Sequence, residues 1–151
     1  MARELVLVLD NIRSLHNVGS MLRSADGFGV KKVILCGITG TPDRHAAQKV
    51  ALGAEKSVPW ERAAKTWSVV ERLKNEGYSV IGLERCKGAL PIGKFRPPQK
   101  VAVVVGNEVT GITPSLRKRI DAVAAIPMRG IKESFNVAVA CGVALYAFSQ
   151  A

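Results

Sequence analysis

Three separated segments of the chain combine glycine with amide, carboxylate or guanidinium side chains at spacings that could form a ligand site. The first, HNVGSMLRSADGFGV at 16–30, offers Asn17, Gly19 and Arg23 at the start of a helical period. Asn17 could cap that helix, whose free N–H groups suit a phosphate, and Gly19 would let another group approach its first turn. The alternative is a plain structural cap, with Arg23 as an ordinary surface cation.

The second segment, GNEVTGI, follows an apolar run and supplies Gly106, Asn107, Glu108 and Gly111. Ligands bind at such strand ends in open α/β sheets. Backbone groups freed by the two glycines could hold an adenosine, with Glu108 orienting its neighbours; a tight turn with a solvated glutamate is the alternative. The G-x-G-x-x-G pattern of dinucleotide-binding proteins is absent here and after the first apolar run, which disfavours a nucleotide-dependent oxidoreductase.

The third segment, IPMRGIKESFNVAVA at 126–140, joins an apolar run to a long apolar helix. Pro127 ends the predicted strand, and a basic loop then leads to Ser134 and Asn136. Either of these side chains could cap the helix. One cap would suffice, so two polar side chains at this point favour a functional role.

Elsewhere, short apolar runs alternate with helical periods. Strands are predicted at 5–9, 32–36, 78–84, 101–106 and 121–127, with 57–59 as a candidate sixth. Helices are predicted at 18–28, 43–52, 61–75, 113–119 and 134–149, and a loop at 87–100. This alternation predicts a single α/β domain, 1–151, with a mostly parallel sheet of about six strands flanked by helices. The strand ends share one edge of such a sheet, so the three segments can converge on one crevice.

The composition of the chain indicates what kind of partner it binds and in which cellular compartment it works. The 22 Lys and Arg against 12 Asp and Glu give a formal net charge of +10, which favours nucleic acid over a membrane surface; a merely basic protein is the alternative. Three widely spaced cysteines in apolar surroundings predict reduced thiols in a cytoplasmic protein, and no Cys or His spacing indicates a metal site. The apolar runs are too short for a signal peptide or a membrane span.

The final predicted helix, NVAVACGVALYAF, is apolar almost all round. A helix without a polar face is buried on every side. At the end of a small domain this predicts a homodimer formed through the C-terminal helix region. The alternative is a helix that lies across the sheet under the other helices.

Taken together, the three segments resemble, in order, the three motifs of the TrmH (SpoU) branch of the SPOUT superfamily, ribose 2′-O-methyltransferases acting on tRNA or rRNA. The first motif is N-x-G-x-x-x-R, matched by Asn17, Gly19 and Arg23, and the second is G-x-E-x-x-G, matched by Gly106, Glu108 and Gly111. The third is I-P-M-x-G followed by S-x-N-V, matched by Ile126, Pro127, Met128, Gly130, Ser134, Asn136 and Val137.

The resemblance implies a C-terminal trefoil knot, S-adenosylmethionine as methyl donor without a metal, and active sites at a dimer interface. The residues implied to hold the donor are Leu83, Gly106, Asn107, Glu108, Gly111, Ile126, Met128, Ser134 and Phe135. The implied catalytic set is Asn17, Arg23, Glu108, Ser134 and Asn136. The expected RNA contacts are Asn17, Arg23, Arg129 and Lys132, with Arg44 and Arg117 from the basic surface.

Because a sulfonium methyl group is already activated, such an enzyme must align a ribose hydroxyl and help remove its proton. Arg23 is a poor candidate for the base, because a guanidinium has no hydrogen-bond acceptor. It is therefore better suited to hold the target's phosphate and stabilise the developing alkoxide, while that phosphate or a nearby group accepts the proton. The alternative function is a non-catalytic RNA-binding or assembly protein that retains the fold.

Overall fold

A seven-stranded sheet forms the centre of the molecule in the computed structural model, which describes residues 2–150. Its strands are β1 Glu4–Asp10, β2 Lys32–Cys36, β3 Trp60–Ala63, β4 Ser79–Leu83, β5 Leu90–Pro91, β6 Lys100–Val105 and β7 Ala122–Ala125. Their order is β3-β2-β1-β6-β4-β7-β5, and these pairings are parallel. The predicted α/β class with a mostly parallel sheet is confirmed, with one strand more than the predicted six.

Helices cover both faces of this sheet. They are α1 Leu15–Gly27, α2 His45–Ala51, α3 Ala54–Ser57, α4 Thr66–Asn75, α5 Pro114–Arg117 and α6 Val137–Ser149, with a 3-10 turn at Ile92–Lys94. Side chains alternate along a strand, so β1 serves two core layers. Leu5, Leu7 and Leu9 pack with α1 and α6, whereas Val6 and Val8 pack on the opposite face with α4.

The segment from Ser57 to Ala63 differs from the prediction. Residues 57–59 are not a strand, because Ser57 ends α3, and β3 occupies Trp60–Ala63, where a helix was predicted from residue 61. Pairing of β3 with the free edge of β2 decides its conformation, and such tertiary pairing overrides local propensity. The two-residue β5 lies within the predicted loop 87–100, where it is too short to show a period.

Two predicted roles in α1 are corrected by the structure. The helix begins at Leu15 rather than Val18, and the Ser14 hydroxyl caps it by accepting from the Asn17 N–H at 3.1 Å. Asn17 is therefore a buried residue of the first turn, not the cap. A Cβ on Gly19 would collide with the Ala47 carbonyl oxygen, so the group that this glycine lets approach is the backbone of α2.

The start of α6 settles which side chain is its cap. Asn136 Oδ1 accepts from the N–H groups of Ala138 and Val139 at 2.9 and 3.2 Å. Ser134 lies outside the helix, which begins at Val137 rather than at residue 134. Helices α2 and α5 are likewise shorter than predicted.

The α6 helix is buried on one side only within a single chain. Cys141, Ala144, Leu145 and Phe148 are buried, whereas Val139 and Tyr146 are 53% and 58% exposed. A groove between α1 and α6 is lined by these exposed residues and by Phe28, Gly142 and Val143, with polar side chains such as Ser20 and Ser24 from α1. Its α6 side is apolar, and we call it the apolar groove. The expectation of a helix buried on every side is thus not met by one chain alone. The trefoil knot stays a prediction of the resemblance.

The three cysteines are free thiols, and burial raises the pKa of Cys36 to about 11 and that of Cys141 to about 12. Across residues 2–150, every helix is too short or too polar to traverse a membrane. The same residues contain no cluster of three His, Cys, Asp or Glu side chains placed to hold a metal ion.

Candidate active site

A cavity of about 490 Å³ opens at the C-terminal edge of the sheet, between the start of α1 and the loops that follow β4, β6 and β7. Its volume falls within the usual range for cofactor sites, about 300–1,000 Å³. Every residue implied for the methyl donor lines it: Leu83, Gly106, Asn107, Glu108, Gly111, Ile126, Met128, Ser134 and Phe135. Of the implied catalytic set, Asn17, Glu108, Ser134 and Asn136 line it and Arg23 does not.

The loop after β6 closes on itself at its two glycines. A Cβ on Gly106 would lie 2.6 Å from the Gly111 carbonyl carbon and 2.7 Å from the Ile112 nitrogen. Gly111 has a φ of +67°, and a Cβ there would collide with the Glu84 carboxylate. Glycine is required at both positions, since the first permits a close backbone approach and the second a left-handed conformation.

Asn107 fixes the conformation of the same loop. Its Oδ1 accepts from the N–H groups of Val109 and Thr110 at 2.8 and 3.0 Å, and its Nδ2 donates to the Asn11 carbonyl at 2.6 Å. This side chain therefore makes three of its four possible hydrogen bonds with the protein backbone. It joins the loop after β6 to the loop after β1.

Glu108 makes a second connection between those two loops. Oε1 accepts from the Arg13 N–H at 2.8 Å, and Oε2 accepts from the Ser14 N–H at 2.8 Å and from Asn17 Nδ2 at 3.2 Å. Burial alone would raise the pKa of Glu108, but these donors and its own N–H outweigh it, so the pKa lies below its ordinary value. A carboxylate so engaged is a weak base and suits positioning rather than proton abstraction.

Asn17 and Asn136 complete a polar chain across the three motif segments. Asn136 Nδ2 lies 3.5 Å from Asn17 Oδ1, at the outer limit of a hydrogen bond, while Asn17 Nδ2 donates to Glu108. The first, second and third segments thus meet at one cavity through Asn17, Glu108 and Asn136. Neutral amides and an anchored carboxylate can orient a hydroxyl or a polar ligand without a metal.

Arg23 is exposed on α1, outside the cavity lining. It lies six residues after Asn17, which places it about 120° around the helix axis and about 9 Å along it. The remaining residues expected to contact RNA are exposed or half-buried: Arg129 and Lys132 in the loop before α6, Arg44 before α2 and Arg117 in α5. The four ion pairs among residues 2–150 do not involve these cations.

Outside the three segments, sequence analysis missed two charged residues that line the cavity, Glu84 and Arg85. Glu84 was counted as the end of the predicted strand 78–84, and Arg85 follows it directly. The signal was the same one that marked the other segments, since polar residues at the C-terminal end of a parallel strand lie at the ligand-binding edge.

The three motif segments line a cavity at the C-terminal edge of a parallel sheet, which places the protein among the α/β proteins that bind a ligand at this edge. Within that class, residues 4–146 match the SpoU rRNA Methylase family, and the chain belongs to that family.

Three comparisons show how this chain relates to characterised proteins. It is 35% identical over 142 residues to the 23S rRNA (guanosine-2′-O-)-methyltransferase RlmB of Coxiella burnetii, covering 94% of this chain and 56% of that protein. An AdoMet-bound rRNA methyltransferase structure from Sinorhizobium meliloti superposes with a TM-score of 0.90 at 27% identity, covering 97% and 56% of the two chains. The TrmH/SpoU tRNA modifying enzyme of A. aeolicus superposes with a TM-score of 0.87 at 26% identity, covering 96% and 73%. The chain thus spans a little over half the length of the curated relatives it matches.

Proposed function

We propose that this chain transfers a methyl group from S-adenosylmethionine to a ribose 2′-hydroxyl of tRNA or rRNA. The observation that carries the proposal is the meeting of the three motif segments at one cavity, joined by Glu108, Asn17 and Asn136. The similarity to a guanosine-2′-O-methyltransferase of 23S rRNA supports the reaction and favours rRNA between the two substrate classes. The net charge of +10 supports a polyanionic partner.

The cavity fits the proposed donor in size and in lining. The two ends of the β6 loop meet at Gly106 and Gly111, which have no side chains. The backbone groups there can therefore come close to an adenosyl group. Leu83, Ile126 and Met128 supply apolar contacts for its faces, and Ser134 and Phe135 contribute the loop before α6. When bound, S-adenosylmethionine supplies an activated methyl group, which leaves the chain to orient the acceptor.

Bound S-adenosylmethionine would supply a methyl group for in-line transfer to the ribose oxygen and would leave as S-adenosylhomocysteine, so the chain must orient the hydroxyl and provide for the loss of its proton. Asn17 and Asn136 orient the ribose through their amides, and Glu108 positions Asn17. The guanidinium of Arg23 binds the target's phosphate and stabilises the developing negative charge on oxygen. That phosphate, or a group beside it, takes the proton.

The position of Arg23 supports a dimer as the active form. Within one chain this side chain lies outside the cavity, and the neighbouring groove between α1 and α6 is apolar on its α6 side. We infer that a second copy covers the groove, so that the partner subunit's Arg23 reaches the cavity of the first. We place this RNA-modifying dimer in the cytoplasm, where reduced cysteines are ordinary.

Methyl transfer from labelled S-adenosylmethionine to total RNA tests the proposal. We expect incorporation by the wild type and a loss of about 100-fold or more in R23A, since removing one donor to a developing oxyanion costs that much. R62A, which removes another exposed arginine, is the matched control and should remain active. Mapping nuclease-resistant 2′-O-methyl nucleotides would identify the RNA.

The outcomes separate the proposal from its alternative. Equal incorporation by R23A and the wild type would contradict the role of Arg23. Binding of donor and RNA by the wild type without any transfer would favour a non-catalytic RNA-binding or assembly protein.

A further inference from the structure

Two consecutive residues of opposite charge, Glu84 and Arg85, follow β4 directly and line the cavity. The Glu84 N–H donates to the Ala124 carbonyl at 3.1 Å, which extends the pairing of β4 with β7 by one residue. The backbone of Glu84 is therefore tied to the sheet, and Arg85 is the next residue along the chain. We call this pair the Glu84–Arg85 bracket.

The glutamate of the bracket holds the loop after β6. Glu84 Oε2 accepts from the Ile112 N–H at 2.6 Å, and its carboxylate packs against Gly111. Gly106 packs against that same point of the loop. A carboxylate that follows the neighbouring strand thus holds the place where the loop closes, beside the Gly111 N–H bond to the Asn107 carbonyl.

The arginine of the bracket holds a second loop of the cavity lining. Arg85 Nη1 donates to the Glu133 carbonyl at 2.7 Å. Glu133 precedes Ser134 and Phe135 in the loop that leads to α6, so one bond anchors the part of that loop that faces the cavity. Hydrogen bonds from a charged group are about twice as strong as neutral ones.

We propose that the Glu84–Arg85 bracket sets the spacing between the β6 loop and the loop before α6, and so holds both in the conformation that binds the methyl donor. Glu84 and Arg85 are positioning residues, because each acts on a backbone group of another loop. This inference rests on the proposed function, since it assigns the two residues to the donor-binding step of that reaction. It adds to the three sequence motifs a fourth segment that none of them contains.

The affinity of the purified protein for S-adenosylhomocysteine, measured by isothermal titration calorimetry, tests this assignment. E84A leaves the Ile112 N–H without its acceptor, and we expect a loss of about tenfold to 100-fold in affinity. R85A releases a more exposed carbonyl that water can reach, so we expect a smaller loss of about threefold to tenfold.

Conservative variants separate the hydrogen bonds from charge and from folding. E84Q is neutral like E84A but keeps an acceptor oxygen, so it should retain most of the affinity. R85K keeps the positive charge and can still donate a hydrogen bond, so it should lose less affinity than R85A. In methyl-transfer assays, KM for S-adenosylmethionine should rise in the alanine variants while kcat at saturating donor stays within about twofold. E76A, at an exposed glutamate after α4, is the matched control.

Each result decides between distinct failures. Wild-type affinity in both E84A and R85A would overturn the assignment and leave the proposed function intact. A wild-type protein that binds no S-adenosylhomocysteine would overturn both. If E84A does not fold, R85A and E84Q still decide. Equal affinities in R85A and the wild type would contradict the bracket. A loss of affinity in E84Q at least as large as that in R85A would also contradict it, because the charge of Glu84 and not its hydrogen bond would then be what matters.

Discussion

The polar side chains around the cavity hold backbone groups in place while they line it. Asn107 bonds to three backbone groups and Glu108 to two, apart from its contact with Asn17. Each such bond holds part of a loop in place where no helix or strand hydrogen bonds do so. A site built in this way is preorganised, since its ligand need not order the loops on binding.

The hydrogen bonds of Glu108 predict a contribution to stability that depends on pH. E108Q replaces a carboxylate that accepts from two backbone N–H groups by an amide whose NH₂ must face one of them. We expect its free energy of unfolding at pH 7 to be lower than that of the wild type by about 1–3 kcal/mol. Urea unfolding followed by circular dichroism measures this difference.

The difference should shrink in acid. The pKa of Glu108 is lower in the folded chain than in the unfolded one, so its stabilisation is complete above the unfolded value of about 4.3 and is lost as the pH falls through the folded value. The gap between wild type and E108Q should therefore narrow as the pH falls below about 4.3. A gap between them that stays constant down to pH 3 would refute this account, and E76Q controls for the loss of a surface charge.

At the scale of the elements, the close packing of α1 on α2 decides how Asn17 is presented. Gly19 has no Cβ where the Ala47 carbonyl touches α1, so the N-terminal part of α1 lies against α2. The Ser14 cap fixes where that turn begins. The helix start, and with it Asn17, is thus set by two neighbours and not by the motif itself.

Substitution of Gly19 by alanine should force the two helices apart. We expect G19A to lower the free energy of unfolding by about 1–3 kcal/mol, the usual cost of overpacking. Gly27, in the same helix, has nothing within 4 Å of an added Cβ, so G27A should be neutral or stabilising by up to about 1 kcal/mol. Equal stabilities for the two variants in urea unfolding would contradict the packing argument.

For the whole molecule, the apolar groove between α1 and α6 is the feature that one chain leaves open. Val139, Val143 and Tyr146 are exposed there although α6 is the most apolar helix of the fold. Contiguous exposed apolar surface of this kind marks an interaction site. The proposed dimer accounts both for the groove and for the position of Arg23 outside the cavity lining.

A charge placed in the groove should separate the subunits. We expect V143E to be monomeric in light scattering coupled to size exclusion, where the wild type is dimeric, because an isolated carboxylate is costly to bury. Methyl transfer should fall with it, since the partner subunit's Arg23 is then missing. I38E, at an apolar residue that is 65% exposed elsewhere, should leave the dimer intact, and a wild type that is itself monomeric would rule out the proposed assembly.

The sequence by itself determined the class of fold and the edge where the site lies. Apolar runs such as LVLVL and VAVVV occur as strands buried on both faces, and the polar residues that follow them must then share one edge. The segments around Asn17, Glu108 and Asn136 were found in this way, and they line one cavity.

The tertiary structure decided which group contacts which. Residues 60–63 became a strand because the edge of β2 was free, and Gly19 serves a contact with α2 that no local period records. The hydrogen bonds of Glu84 and Arg85 form only because the fold brings loops distant in sequence against these two residues. The physical reason is that local periodicity encodes burial, whereas hydrogen-bond partners depend on which backbone segments the fold places side by side.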